Sequence, residues 1–244
     1  MKQQSPRQQN RPLKLHLTLA QGIGEDILKG TYPPGTLLPN EAEWGRRYGA
    51  SRTAVREAIK TLVGKGLIGT RPKIGSRVEP RDRWNLLDRD VLAWHCAAMD
   101  KKTLLLSVQE ARHILEPGIA ALAARRRTPA QLNRIASALE GMRGAKSPGL
   151  EVEPDIQFHL SLIAAANNEL LQPFGGMIEA ALANIFEYTS VNHPRPSQAI
   201  ALHENILKAV ARGKPEAARR ATEVLLDNTD RILAKGPVPG GRKT

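Results

Sequence analysis

The sequence predicts a mostly α chain: an N-terminal winged helix-turn-helix with a small β-hairpin wing, then an all-α antiparallel helix bundle. Three observations lead there. Aromatic residues make up only 4% of the 244 while Ala and Leu abound, which favours helices over a β-sandwich. Apolar residues recur at steps of three and four through most of the chain. Short strand-like runs at 67–78 follow directly on two helices joined by a very short turn.

Hydrophobic residues at 41% and charged ones at 25% describe a globular chain of one large or two modest domains. No apolar run approaches the roughly 20 residues that cross a bilayer, and no signal-like apolar stretch follows Met1. Cys96 has no second cysteine to pair with, which fits a reducing cytoplasm. The charge of +12 is unevenly placed. Residues 1–83 hold 16 Lys and Arg against 7 Asp and Glu, and residues 84–244 hold 20 against 17. A polyanion partner is expected for the N-terminal third, with DNA, RNA and a membrane surface all open on charge alone.

Taking the elements in order, residues 1–12 read as a flexible basic tail and 13–80 as the DNA-binding domain. Leu15, Leu19, Ile23 and Ile27 mark a helix at 13–29, ended by Gly30. The run TYPPG at 31–35 is a turn, because paired prolines break helices. Asn40 caps a helix at 41–48, and Gly49 ends it. Ser51 caps the third helix. There Val55, Ala58, Ile59, Leu62 and Val63 form an apolar side, with Thr53, Arg56, Glu57 and Lys60 opposite and Arg52 in the first turn. LIGTRPKIGSRV at 67–78 reads as the hairpin wing. Packing the apolar side leaves the cations free to enter a major groove, where Arg suits guanine O6 and N7. Ser51 and Thr53 suit phosphates near the helix start. Lys73 and Gly75 on the wing are placed to follow the adjacent minor groove or backbone.

Residues 81–90 read as a linker, 91–235 as a second, all-helical domain, and 236–244 as a flexible tail. Helices are expected at 86–98, 102–127, 129–143, 154–166, 170–190, 196–212 and 215–234. Within this apolar half, Asp155 and His159 lie four apart on one helix face, and His203 sits in the middle of an apolar stripe. Buried carboxylates and imidazoles require partners. Three mutually hydrogen-bonded core residues and a shared ligand or metal cavity are both open. Asp and His together suit Zn²⁺, Ni²⁺ or Mn²⁺.

The stretch from Leu38–Pro39 through SRTAVREA at 51–58 and GLI at 66–68 resembles the winged helix of the GntR family of bacterial transcription regulators. That resemblance implies base-reading roles for Arg52 and Arg56. Ala42 stands where members often carry an Arg, so one contact from the second helix is either missing or replaced by Arg46 or Arg47. The runs E-x-R-x-x-L-E-P at 110–117, D-x-x-x-H-x-x-L-x-x-A-x-x-N at 155–168 and H-E at 203–204 are similar to the FadR C-terminal domain. In that subfamily an Asp and three His commonly hold a divalent metal below a cavity for a small carboxylate. Asp155, His159 and His203 match three of the four, and Leu225 stands at the fourth position. Either three protein ligands hold the metal, or the three residues bond the effector directly. Arg112 matches the arginine facing the effector, although a salt bridge with Glu116, four residues on, is an alternative. Asn167 or Asn168 and Arg195 complete the effector candidates. WNLLDRDVLAW resembles members governing sugar-acid catabolism. The resemblance implies that 91–235 is an effector-binding and dimerisation domain and that the chain is a cytoplasmic homodimeric regulator, a repressor, on a palindromic operator and answering to a small organic acid. The alternative is a metal-dependent enzyme using Asp155, His159 and His203 beside a DNA-binding module; an architectural DNA-binding protein is a third reading.

Overall fold

The computed structural model describes residues 10–146, 149–192 and 196–235. They fall into two compact units, Met1–Met99 and Asp100–Thr244.

The first unit is built on helices α1 (Asn10–Leu28), α2 (Glu41–Tyr48) and α3 (Arg52–Gly64), with strands β1 (Ile68–Arg71) and β2 (Gly75–Val78). Asn40 and Glu43 form a reciprocal capping box at the start of α2, satisfying two amides that have no helical partner. Gly49 ends that helix in the left-handed conformation, at φ 60°. Ser51 then caps α3, its hydroxyl accepting from the Ala54 amide at 3.3 Å. The antiparallel wing pairs Ile68 with Val78 and Arg71 with Gly75. Lys73 in its turn and Gly75 at the start of β2 take positive φ, 64° and 106°, which glycine adopts without strain and Lys does not. The apolar faces meet in one core of Leu19, Ile23, Ile27, Trp44, Val55, Leu62, Ile68 and Val78. Full burial of a side chain such as Leu62, with 0% exposure, stabilises by about 1.5–3 kcal/mol. One assignment changes: Val63 is 39% exposed and Ala54 is buried instead, so the buried stripe of α3 lies slightly towards its N-terminal side.

The segment expected as a linker does not leave this unit. Trp84 is buried, its indole Nε1 donating to the Glu79 carbonyl at 3.0 Å. The Asn85 amide donates to the Lys65 carbonyl at 3.1 Å. The Lys65 ammonium reaches the Asp88 carboxylate at 2.6 Å and that of Asp90 at 2.8 Å. Asp88 in turn caps α4 (Arg89–Ala98). Trp94 of α4 lies against α1 so tightly that a methyl on Gly24 would fall 2.5 Å from the ring. The boundary therefore lies after Met99 and not at 90/91. Leu86 and Leu87, expected inside a helix from 86, are exposed and precede α4. Asp88 is the stronger helix start because its carboxylate accepts from two free amides.

The second unit contains, among the described residues, six helices: α5 (Lys101–Arg126), α6 (Pro129–Gly144), α7 (Val152–Ala165), α8 (Phe174–Asn192), α9 (Pro196–Ala211) and α10 (Pro215–Ala234). Thr128 caps α6 with a capping box, and proline opens both α6 and α10, where a missing amide leaves no acceptor unpaired. α7 begins two residues earlier than expected, with Pro154 inside its first turn, where amides have no helical acceptor anyway. α8 begins after Pro173, not at 170, because proline cannot continue a helix entering from Leu170. Ile119, Ala123, Ile135, Leu139, Phe158, Leu162, Ile178, Ile206 and Leu225 share one hydrophobic core. α5 packs on α7, α9 and α10, and this places polar residues of four helices at its centre. Among the described residues no helix is long and apolar enough to cross a membrane.

Candidate functional site

On the first unit, Ser51, Arg52, Thr53 and Arg56 are exposed on α3, and Lys73 and Gly75 are exposed in the wing. Arg56 approaches Glu41 at 3.6 Å with both side chains more than half exposed, a contact that solvent screens and a polyanion can displace. Arg47 is committed elsewhere, lying over the Trp44 ring at 5.4 Å and donating to the Tyr32 hydroxyl at 2.8 Å. Arg71, Arg77 and Arg83 surround a cleft of about 440 Å³ beside the wing. This basic rim was not singled out from the sequence, because its members lie in three separate short segments.

In the second unit the helices bring Asp155, His159 and His203 together. All three are buried, and one donor atom from each lies within 4.8 Å of the others. His203 Nδ1 is 2.8 Å from the Ala199 carbonyl. A carbonyl only accepts, so that nitrogen carries its proton and Nε2 is left to face inward. His159 Nδ1 lies 2.7 Å from the Glu116 carboxylate, which turns its Nε2 inward too. The two Nε2 atoms are 3.3 Å apart, with Asp155 oxygens 3.1 Å from His203 and 3.8 Å from His159. Phe158 closes one side, its ring edge-on to His203 at 5.0 Å.

Electrostatics hold this arrangement. Burial raises the Glu116 carboxyl, but the Arg112 guanidinium and His159 outweigh it and hold the acid well below the usual range. Burial likewise raises Asp155, and His203 and His159 prevail in lowering it. His203 is pulled down by burial and pushed up further by the Asp155 carboxylate, so that its net shift is upward.

Arg112 is 2% exposed. Its Nε donates to Glu116 at 2.6 Å and its Nη1 to the Gln109 amide oxygen at 3.0 Å. The salt bridge open in the sequence is present, and Arg112 orients Glu116, which orients His159. Glu116 and Gln109 were not placed in the site by sequence, although Gln109, Arg112 and Glu116 at i, i+3 and i+7 interrupt an otherwise apolar face. The structure does not bring the asparagines there. Asn167 donates to the Arg126 carbonyl at 2.7 Å and accepts from Gln131 at 2.9 Å, fixing a turn at φ 47°. It stands beyond the end of α7, twelve residues along the chain from Asp155. Asn168 caps the short turn at Glu169–Leu171. Arg195 lies outside the described residues. Leu225 is buried in the same apolar core as Phe158 and offers no donor atom.

Two basic-groove elements on one unit and a buried polar cluster in an all-helical second unit define a DNA-binding regulator with a sensor domain. The comparisons agree. Residues 15–78 match the bacterial regulatory proteins of the gntR family, and residues 107–228 match the FCD domain. The chain is 33% identical over 220 residues to the uncharacterized HTH-type transcriptional regulator YieP of Escherichia coli K12, covering 89% of this chain and 94% of that one. It is 32% identical over 214 residues to the galactonate operon transcriptional repressor of the same organism, covering 86% and 93%. The fold is shared with the Listeria monocytogenes protein Lar, at TM-score 0.61 and 17% identity over 96% of this chain and 99% of that one. This protein belongs to the GntR family and is a transcription regulator carrying an FCD sensor domain. These comparisons give no support to the alternative of a metal-dependent enzyme.

Proposed function

We propose that this protein is a homodimeric repressor whose paired winged helices dock on the half-sites of a palindromic operator, and that a small organic acid of the sugar-acid class releases it. Arg52 and Arg56 read bases, Ser51 and Thr53 meet phosphates, and Lys73 and Gly75 follow the neighbouring groove. The relative that governs a galactonate operon supports the effector class. A single observation carries the sensor reading: two imidazole Nε2 atoms and one carboxylate converge in a buried site with both Nδ1 atoms already engaged.

That donor set fits a divalent ion of the Zn²⁺, Ni²⁺ or Mn²⁺ kind. Asp155, His159 and His203 would hold it, and the ion would supply a positive centre for a carboxylate. Leu225 supplies no fourth ligand, so coordination positions remain for the effector. Arg112 is a positioning residue in this reading, acting through Glu116. Binding must favour one conformation of the sensor for the DNA affinity to change.

A thermal-shift screen of aldonic and related hydroxy acids, with and without chelator, tests the proposal. A sugar acid should raise the melting temperature, lose that effect with chelator, and dissolve the operator complex in a gel shift. A shift that survives chelator removes the metal from the reading. No response to any hydroxy acid removes the effector class.

A further inference from the structure

A second group of donor atoms stands apart from the buried cluster, where α5 and α10 pack together. His113 of α5 and Asp227 and Asp230 of α10 each place one donor atom within 4.8 Å of the others. We propose that these three residues form a second divalent-cation site, half open to solvent.

Helical geometry sets up the arrangement. Asp227 and Asp230 are three apart and project from the same face of α10, towards the turn of α5 that carries His113. His113 Nε2 lies 2.7 Å from one oxygen of Asp230. The other oxygen accepts from Gln109 Nε2 at 2.7 Å, and Gln109 is 4% exposed. A buried amide therefore fixes the carboxylate, as hydrogen bonds behind ligating groups do in metal sites generally. Asp227 is exposed and, among the described residues, its carboxylate makes no hydrogen bond or ion pair. Two carboxylates thus face one imidazole, a donor set whose charge a divalent cation would neutralise. An ion pair of His113 and Asp230 alone gives no role to Asp227 at this distance. One nitrogen and two oxygen donors suit Zn²⁺ or Mn²⁺, with water completing the coordination. With three donors and an open side, the site should bind more weakly than the enclosed cluster.

The test is a metal count on the full-length protein. Chelator-stripped chain is dialysed against Zn²⁺, and separately Mn²⁺, and bound metal per chain is measured by elemental analysis. The expected result is two equivalents in the wild type, one in Asp227→Asn and His113→Ala, and one in His159→Ala. Asp227→Asn is the decisive variant, since its side chain supports nothing in the fold. A single equivalent abolished by Asp227→Asn and untouched by His159→Ala would establish this site while overturning metal at the buried one. A single equivalent lost with His159→Ala and retained in Asp227→Asn would overturn this site alone. Two equivalents in every variant, or none in the wild type, would also overturn it.

Discussion

His159 Nε2 and His203 Nε2 face each other across 3.3 Å, and each ring's Nδ1 is already held, by Glu116 and by the Ala199 carbonyl. Two lone pairs do not rest against each other in a dry interior, so a proton or a cation must stand between the rings. With metal bound, Glu116→Gln weakens the carboxylate that orients His159 and is expected to cost ~10–100-fold in metal affinity. Leu225→His places an imidazole where the family resemblance puts a fourth ligand and is expected to tighten binding. Competition with a chromogenic chelator measures both, and equal affinity in Glu116→Gln and wild type would contradict the role given to Glu116.

Arg52→Ala and Arg56→Ala are each expected to weaken operator binding by ~1–3 kcal/mol and to relax base preference at one position. Glu41→Gln frees Arg56 from its 3.6 Å contact and should not weaken binding. Gel-shift titrations on a selected operator and its point variants read both effects. Unchanged affinity in both arginine variants would remove α3 from the groove.

Gly24→Ala is a case in which two effects oppose. Alanine gains up to about 1 kcal/mol over glycine inside a helix. The added methyl would meet Trp94 at 2.5 Å, and overpacking of that kind costs about 1–3 kcal/mol. The clash should prevail, lowering the denaturation midpoint of the first unit. A raised midpoint would mean that α4 moves off α1 without loss.

Asp88 supplies one pH dependence within the first unit. Burial raises its carboxyl, but the Lys65 ammonium and the Val91 and Asp90 amides outweigh that and lower it. A depressed acid contributes stability above its unfolded pKa of about 3.9, and loses that contribution as pH falls through the folded value. Asp88→Asn keeps the cap and removes the charge. Its stability deficit should be full at neutral pH and vanish in acid, followed by helical circular dichroism. A deficit independent of pH would assign the effect to the cap.

Most of the fold was legible because its signals are local. Asn40, Ser51 and the prolines at 129 and 215 mark helix starts whatever surrounds them, and the apolar spacing of α3 dictated its buried face. Asp155, His159 and His203 were legible as polar residues in apolar stripes. What escaped depends on contacts between distant segments. Nothing near Asp88 announces that Lys65 will hold it, so the run 81–90 read as a linker. Gln109 shows in the sequence only as a polar break in an apolar face, and nothing local says that Asp230, 121 positions away, takes its amide. The family motif ends on Asn168, which caps a short turn, while Asn167 beside it takes a left-handed turn and bonds the Arg126 carbonyl.

The fastening of α4 has a practical bearing on how such regulators are recombined. A chimera joining this DNA-reading unit to a foreign sensor should be spliced after Met99. A joint at residue 80 would discard Trp84, Asp88 and Trp94 together and strip the unit of part of its own core, so a silent hybrid made there would report a broken headpiece and not a failed sensor.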